Sequence, residues 1–267
     1  MSDQNIFATL RGGGRLWAVA AIHGDVERLA ALHAVLAERI GAEEPLVYLG
    51  NYFGRGQAVR ETVEELLVFR RRMMARPGAE EREIVFLRGA QEEMWQKLLQ
   101  LQFAPNPSQV LQWMVEQGVG ATIAAYGGDP RDGFLAAREG ILAVTRWTAN
   151  LRQSMRGHDG HMALMTVLKH AAFTDDDRIL FVHGGLDPAR PLSAQSDSFW
   201  WGAAGFAMLT EQPYGSFRLV VRGSDRRHGG IRLDGHAFTL DGGCGFGGPL
   251  CAACFDADGN VLDVLEA

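Results

Sequence analysis

Two imidazoles, two guanidiniums and an amide stand in glycine-rich junctions of this chain, each at the end of an apolar run. The junctions are Ala20-Ala21-Ile22-His23-Gly24, Gly50-Asn51-Tyr52-Phe53-Gly54-Arg55-Gly56, Arg88-Gly89-Ala90-Gln91-Glu92, His183-Gly184-Gly185 and Gly223-Ser224. Histidine ligates metals or carries protons near neutral pH. Arginine grips phosphate through parallel N–H bonds. His23 and His183 therefore read either as a site for one metal, zinc with Asn51 and a water, or as neutral imidazoles held by hydrogen bonds. Arg55 and Arg88 read as an anion clamp, or as partners of local carboxylates such as Glu92. Arg226-Arg227-His228 follows the last junction and adds positive charge at its mouth, unless it is merely solvated.

Other clusters read more plainly. His158 and His161 in Gly157-His158-Asp159-Gly160-His161 suggest metal, but the polar, glycine-broken run fits a solvated helix junction. Cys251 and Cys254, three apart on a strand, face opposite sides, so with Cys244 they read as buried small side chains. Phe199-Trp200-Trp201 with Phe206 is either a docking patch or core.

The elements that must position these residues alternate. Leu16–Ile22, Leu46–Leu49 and Ile84–Leu87 are short apolar runs that fit strands buried on both faces. Helical periodicity follows each, in Val26–Ile40 (capped by Asp25), Val59–Met74 and Glu92–Leu101. From about residue 103 to 177 helical periods dominate, in Val110–Gln117, Phe134–Met155 and His161–Ala172. Strands return at Ile179–Val182, Arg218–Val221, Ala237–Leu240, Leu250–Phe255 and Val261–Leu265, the last pair joined by the turn Asp256–Asn260. Parallel units followed by antiparallel strands predict an α/β fold of two mixed sheets face to face, helices outside, with a helical insert at 103–177 in one domain spanning 1–267.

Composition sets outer bounds. The 267 residues are 47% hydrophobic and 22% charged, with a net charge of −6. This is the profile of a globular chain large enough for a core without staples. The acidic balance argues against a protein that coats nucleic acid or an anionic membrane. The stretch to Arg15 lacks a leader's apolar core, and no apolar run approaches a membrane span. Three clustered cysteines make no disulfide framework. The expected compartment is the cytoplasm.

The order and spacing of the five junctions resemble the calcineurin-like metallophosphoesterases, specifically the bacterial type of serine/threonine phosphoprotein phosphatase. That family reads Gly-Asp-x-His-Gly, Gly-Asp-x-x-Asp-Arg-Gly, Arg-Gly-Asn-His-Glu, His-Ala/Gly-Gly and Gly-His at these places. Gly118–Gly127 (GVGATIAAYG) and Leu240–Leu250 (LDGGCGFGGPL) resemble two further family segments, so the likeness covers essentially the whole chain. It implies a metallophosphoesterase-like αββα sandwich. In the family two divalent ions activate a water for in-line attack on a phosphoryl group.

Carried over by position, the first metal would rest on Ala21, His23 and Asn51, and the second on Asn51, Ala90, His183 and Ser224. Ala21 and Ala90 have no donor atom, Asn51 is neutral where a bridging carboxylate belongs, and Ser224 replaces an imidazole. The general-acid pair is Gln91 and Gly54, which shuttle no proton. The resemblance thus implies a scaffold without its metal chemistry: no catalytic residues, no metal or cofactor expected, and the phosphate-holding Arg55 and Arg88 retained. The alternative is a single weakly bound Zn or Mn, with Asp25, Asp187 or Asp225 as a rescue ligand.

The expected function is a catalytically inactive pseudophosphatase that binds a phosphorylated small molecule or protein through the former cleft. A protein partner would sit at the cleft rim or the helical insert; neither nucleic acid nor membrane is expected. The alternative is a weak metal-dependent phosphoesterase, a serine/threonine protein phosphatase with rearranged ligands.

Overall fold

Leu16-Trp17-Ala18-Val19 has one polar side-chain group, the Trp17 indole N–H, which donates to Glu44 Oε2 at 2.8 Å, and all four residues are buried in a strand. The structure, a computed structural model, describes residues 6–79 and 82–267. Residues 1–5, part of the stretch expected to lack a leader's apolar core, and residues 80–81 lie outside the described residues.

Among the described residues the strands are β1 (Phe7–Leu10), β2 (Leu16–Val19), β3 (Leu46–Tyr48), β4 (Ile84–Phe86), β5 (Ala171–Thr174), β6 (Ile179–Val182), β7 (Leu219–Arg222), β8 (Gly230–Asp234), β9 (Ala237–Asp241), β10 (Cys251–Phe255) and β11 (Val261–Glu266). One sheet has the order β11-β10-β2-β3-β4, the other β1-β5-β6-β7-β9-β8. In the first, β2, β3 and β4 run parallel, and β10 joins β2 antiparallel with Cys254 opposite Trp17. The crossovers are α1 (Val26–Arg39) and α2 (Val59–Met74), as the periodicity predicts.

The strands of the second sheet show why it is covered on both sides. In β6, Ile179 and Phe181 join the main core between the sheets, while Leu180 and Val182 join a second cluster with Phe199, Trp200 and Phe206. That alternation is the two-residue period of a strand with both faces buried. Between the sheets, Phe255 of β10 meets Phe181 and Phe238 edge-on, at 6.0 and 5.3 Å between ring centroids. The Phe199–Phe206 stretch is thus mostly core: α9 (Ser198–Trp201) and α10 (Ala203–Met208) pack under the second sheet.

Several elements differ from expectation. The later strands are not all antiparallel: β5–β6, β8–β9 and β10–β11 pair antiparallel, but β6, β7 and β9 run parallel, because α9 and α10 carry the chain back between β6 and β7. Ala171 and Ala172, expected to end the helix His161–Ala172, belong instead to β5, which pairs parallel to β1 and antiparallel to β6. Neither β1 nor β8 was legible as a strand. The long helix expected over Phe134–Met155 is broken at Gly140, whose φ of 114° ends α6 (Pro130–Glu139) and starts α7 (Ile141–Arg156). The third helix begins at Ala90 rather than Glu92, giving α3 (Ala90–Leu98). The remaining helices are α4 (Pro107–Glu116), α5 (Val119–Ala125) and α8 (His161–Val167), so the insert's helices end before β5. No helix among the described residues is long and apolar enough to cross a membrane.

Candidate functional site

The five junctions meet at the C-terminal ends of β2, β3, β4, β6 and β7, the sheet edge where α/β proteins place ligands. Backbone bonds lock them together. The Asn51 carbonyl accepts the N–H groups of Ile22 (3.1 Å) and His23 (2.7 Å), and the His183 carbonyl accepts those of Gly223 and Ser224, both at 3.0 Å. Gly89 lets two junctions touch: a Cβ there would lie 2.2 Å from the Asn51 nitrogen.

The Glu92 carboxylate braces the same place. Fully buried, it accepts the backbone N–H groups of Asn51, Tyr52 and Gly89 at 2.8 Å and of Phe53 at 3.1 Å. Burial pushes its pKa up, against the opposing pull of those bonds. Glu92 is therefore a backbone brace and not a partner for either arginine.

A cavity of about 300 Å³ opens over these loops. His23, Asn51, Ala90, Gln91, His183 and Ser224 line it, together with Arg55. Four lining residues, His23, Asn51, Arg55 and His228, hold φ between 46° and 57°, a left-handed backbone uncommon for side chains other than glycine. Such strain costs about 1–3 kcal/mol per residue and clusters at sites that bind or react.

The two junction histidines, His23 and His183, are both buried. His183 Nδ1 lies 2.7 Å from the Leu49 carbonyl, so it carries the proton and donates it there. Burial lowers His183 to a pKa of about 4. His23 is lowered to about 3, by burial first and then by the positive potential of His183, Arg55 and His228. Its Nε2 lies 3.3 Å from Asn51 Nδ2, and its Nδ1 is buried without a hydrogen-bond partner.

The donor set does not fit a pair of divalent ions. Asn51 Oδ1 is taken by the Gln91 backbone N–H at 2.9 Å, so the amide turns its NH₂ group, a donor, toward His23. Gln91 itself donates from Nε2 to the Gln117 carbonyl at 2.8 Å. Among the described residues no Asp or Glu lines the cavity. Of the three candidate rescue acids, Asp25 caps α1 and pairs with Arg28, Asp187 pairs with Arg190, and Asp225 is buried against Arg222 at 3.1 Å.

The two expected anion contacts part company. Arg55 reaches the cavity with its guanidinium 4.2 Å from the Phe246 ring centroid. Arg88 does not line the cavity; it pairs with Glu93 at 3.2 Å and faces a different hollow beside Trp95 and Arg152. Its carbonyl accepts the Trp200 indole N–H at 2.8 Å. Arg226 and His228 line the cavity instead, the positive charge expected at the mouth. His228 stacks on Phe246 at 3.7 Å and meets Asp241 Oδ2 through Nδ1 at 2.9 Å. Trp200 and Trp201 form part of the wall.

Sequence reasoning passed over Phe246 and Asp241. Phe246 sits among glycines that read only as a turn, and Asp241 ends a strand where an acid carries no signal of its own. Of the clusters outside the cavity, the three cysteines are buried and unpaired, with burial raising Cys244 and Cys251 to about 12.

No family model matches this chain, and no curated protein matches it by sequence. Solved structures match it by shape. One is assigned as a diadenosine tetraphosphatase; it has a TM-score of 0.57 and 19% identity, covering 98% of both chains. Another is a protein serine/threonine phosphatase from Saccharomyces cerevisiae with similarity to human phosphatase PP5. It has a TM-score of 0.57 and 13% identity, covering 99% of this chain and 85% of its own. At such identities the likeness is one of fold. The chain has the metallophosphoesterase-like αββα arrangement of two mixed sheets.

Proposed function

We propose that this chain is a catalytically inactive, phosphatase-like protein that binds a phosphorylated small molecule or protein partner in the cleft. Charge carries the reading. Arg55 and Arg226 reach a cavity lined by no carboxylate, and neither arginine has an ion pair among the described residues. A guanidinium without a carboxylate partner in a concave site attracts phosphate. The Phe246 ring holds Arg55 and His228 in place, and Trp200 and Trp201 offer flat apolar wall to whatever carries the phosphate.

The donor set supports the reading of inactivity. Activating a water for attack needs cations held by acids, or a group that exchanges protons near neutral pH. Among the described residues no acid lines the cleft, the amide points its NH₂ inward, and His23 and His183 stay neutral far below neutrality, while His228 at the wall is tied through Nδ1 to Asp241. A weak metal-dependent phosphoesterase would require one of Asp25, Asp187 or Asp225 to leave its present partner.

Calorimetry with inorganic phosphate and phosphoserine peptides tests the proposal. Binding should weaken by about tenfold in Arg55→Ala and in Arg226→Ala, and little in Arg88→Ala. No heat with any phosphate ligand would end the anion-pocket reading. Mn²⁺-dependent hydrolysis of an aryl phosphate, lost in His183→Gln, would end the reading of inactivity.

A further inference from the structure

A second group of potential ligands lies outside that cavity, where the helical insert meets α2. The turn between α7 and α8 comes so close to α2 that a Cβ on Gly160, at φ 82°, would lie 2.7 Å from a methyl of Leu67. This approach brings His158 and His161 to Glu64, one helical turn before Leu67. One ligand atom from each of the three residues lies within 4.8 Å of the other two. The imidazole rings are 5.1 Å apart and tilted by 30°.

His161 is the fixed member. It is 1% exposed, its Nδ1 is 2.8 Å from the Tyr126 hydroxyl, and its Nε2 is buried with no hydrogen-bond partner. A proton on Nδ1, donated to Tyr126, leaves the Nε2 lone pair free. That is how an outer hydrogen bond sets the tautomer of a metal-bound imidazole. Burial, with His158 and Arg60 nearby, lowers the pKa of His161 to about 4, so the ring is neutral at pH 7. His158 is half-buried and Glu64 exposed, so both are free to adjust.

We propose that Glu64, His158 and His161 form a zinc-type metal site that pins the helical insert to α2. Two imidazole nitrogens and one carboxylate oxygen make a set that Zn²⁺ takes in tetrahedral geometry with one position left to water; Mg²⁺ and Ca²⁺ prefer all-oxygen sets. With bonds of about 2.0–2.1 Å the donors would sit roughly 3.3 Å apart, so the side chains must draw in by about 1.5 Å at most. The glycines on both sides of His158 and the exposed Glu64 permit that. Arg60, which opposes a cation here, lies 3.9 Å from Glu61, so its charge is partly offset. The link would also steady Tyr126, whose ring meets Phe53 of the Arg55 loop edge-on at 6.4 Å.

The test is calorimetric titration of the tag-free, metal-stripped full chain with Zn²⁺, repeated with Co²⁺ to read the absorption bands of a tetrahedral site. The proposal expects one Zn²⁺ per chain and a raised melting temperature. Glu64→Gln and His158→Gln, both at accessible positions, should each weaken binding by tenfold or more. Tyr126→Phe should weaken it by about 10–100-fold at unchanged stoichiometry. His23→Gln should leave it intact, which separates this site from the cleft. Absence of stoichiometric Zn²⁺, or binding that survives Glu64→Gln and His158→Gln, would overturn the proposal.

Discussion

Asn51 Oδ1 lies 2.9 Å from the backbone nitrogen of Gln91, at the first turn of α3. Because an amide has one oxygen and one nitrogen, this bond decides what the cleft sees. The oxygen faces the helix, and the NH₂ group faces His23. An aspartate at the same place would have an oxygen on both sides. The exchange of one atom type converts a position suited to cations into one that repels them.

Restoring the cleft's donors together should restore metal. The variant Ala21→Asp, Asn51→Asp, Gly54→Asp, Ala90→Asn, Gln91→His and Ser224→His, made with Glu64→Gln and His158→Gln to silence the second site, is expected to bind Mn²⁺ in the cleft. The same Glu64→Gln, His158→Gln chain with its native cleft should bind none. Elemental analysis after dialysis reads both. Asn51→Asp alone should not suffice, since Ala21 and Ala90 still contribute no donor.

Gly54 and Gln91 should behave as a coupled pair. A Cβ on Gly54 would lie 2.3 Å from Gln91 Oε1, and Gly54 has φ of 82°. Gly54→Asp alone is expected to cost about 1–3 kcal/mol, from overpacking and a left-handed backbone. Shortening the neighbour with Gln91→Ala should recover part of that loss. A double-mutant cycle in urea measures the coupling, and strictly additive effects would show that the two side chains do not compete for space.

Glu92 should be a stability residue rather than a binding residue. Its carboxylate accepts four backbone N–H groups that would otherwise be buried unpaired. Glu92→Ala is expected to cost about 3–5 kcal/mol, read as a lower urea midpoint. Glu92→Gln should also be destabilising, because its NH₂ group would face donors.

Acid should destabilise the protein before its carboxylates titrate. His23 and His183 have folded pKa values of about 3 and about 4, against about 6.5 in an unfolded chain. Between those values the unfolded chain binds the extra protons, so stability is full above about pH 6.5 and declines as pH falls. Each histidine contributes a slope of up to about 1.4 kcal/mol per pH unit. Unfolding in urea at pH 7.5 and pH 5 measures the loss. The double variant His23→Gln, His183→Gln should show a flatter profile; an unchanged one would mean that the two rings are accessible to protons when folded.

What could be read from the chain alone follows from local chemistry. Apolar runs such as Leu16–Val19 and Ile179–Val182 specify strands because little in them suits water, and the glycine junctions mark where the chain must turn. The lack of donors at Ala21 and Ala90 is a property of side chains and needs no structure. Elements whose pattern depends on a distant partner were not legible. Ala171–Thr174 becomes a strand because Phe7–Leu10 and β6 flank it, and β8 is an edge strand with little buried area to impose a pattern.

The division is sharpest for the two arginines. Both stand in glycine-rich junctions, and nothing in the residue types separates them. Packing separates them: Glu93, on the first turn of α3, captures Arg88, while Arg55 meets no carboxylate among the described residues and comes to rest near Phe246, from the other end of the chain. Likewise His158 and His161 read as a solvated junction until α2 brings Glu64 beside them. Residue identity determines which atoms a cleft can offer. Orientation and pairing are set by neighbours in space, five residues away for Arg88 and Glu93 but far along the chain for Arg55 and Phe246, because hydrogen bonds and ion pairs act over a few ångströms and take no account of sequence separation.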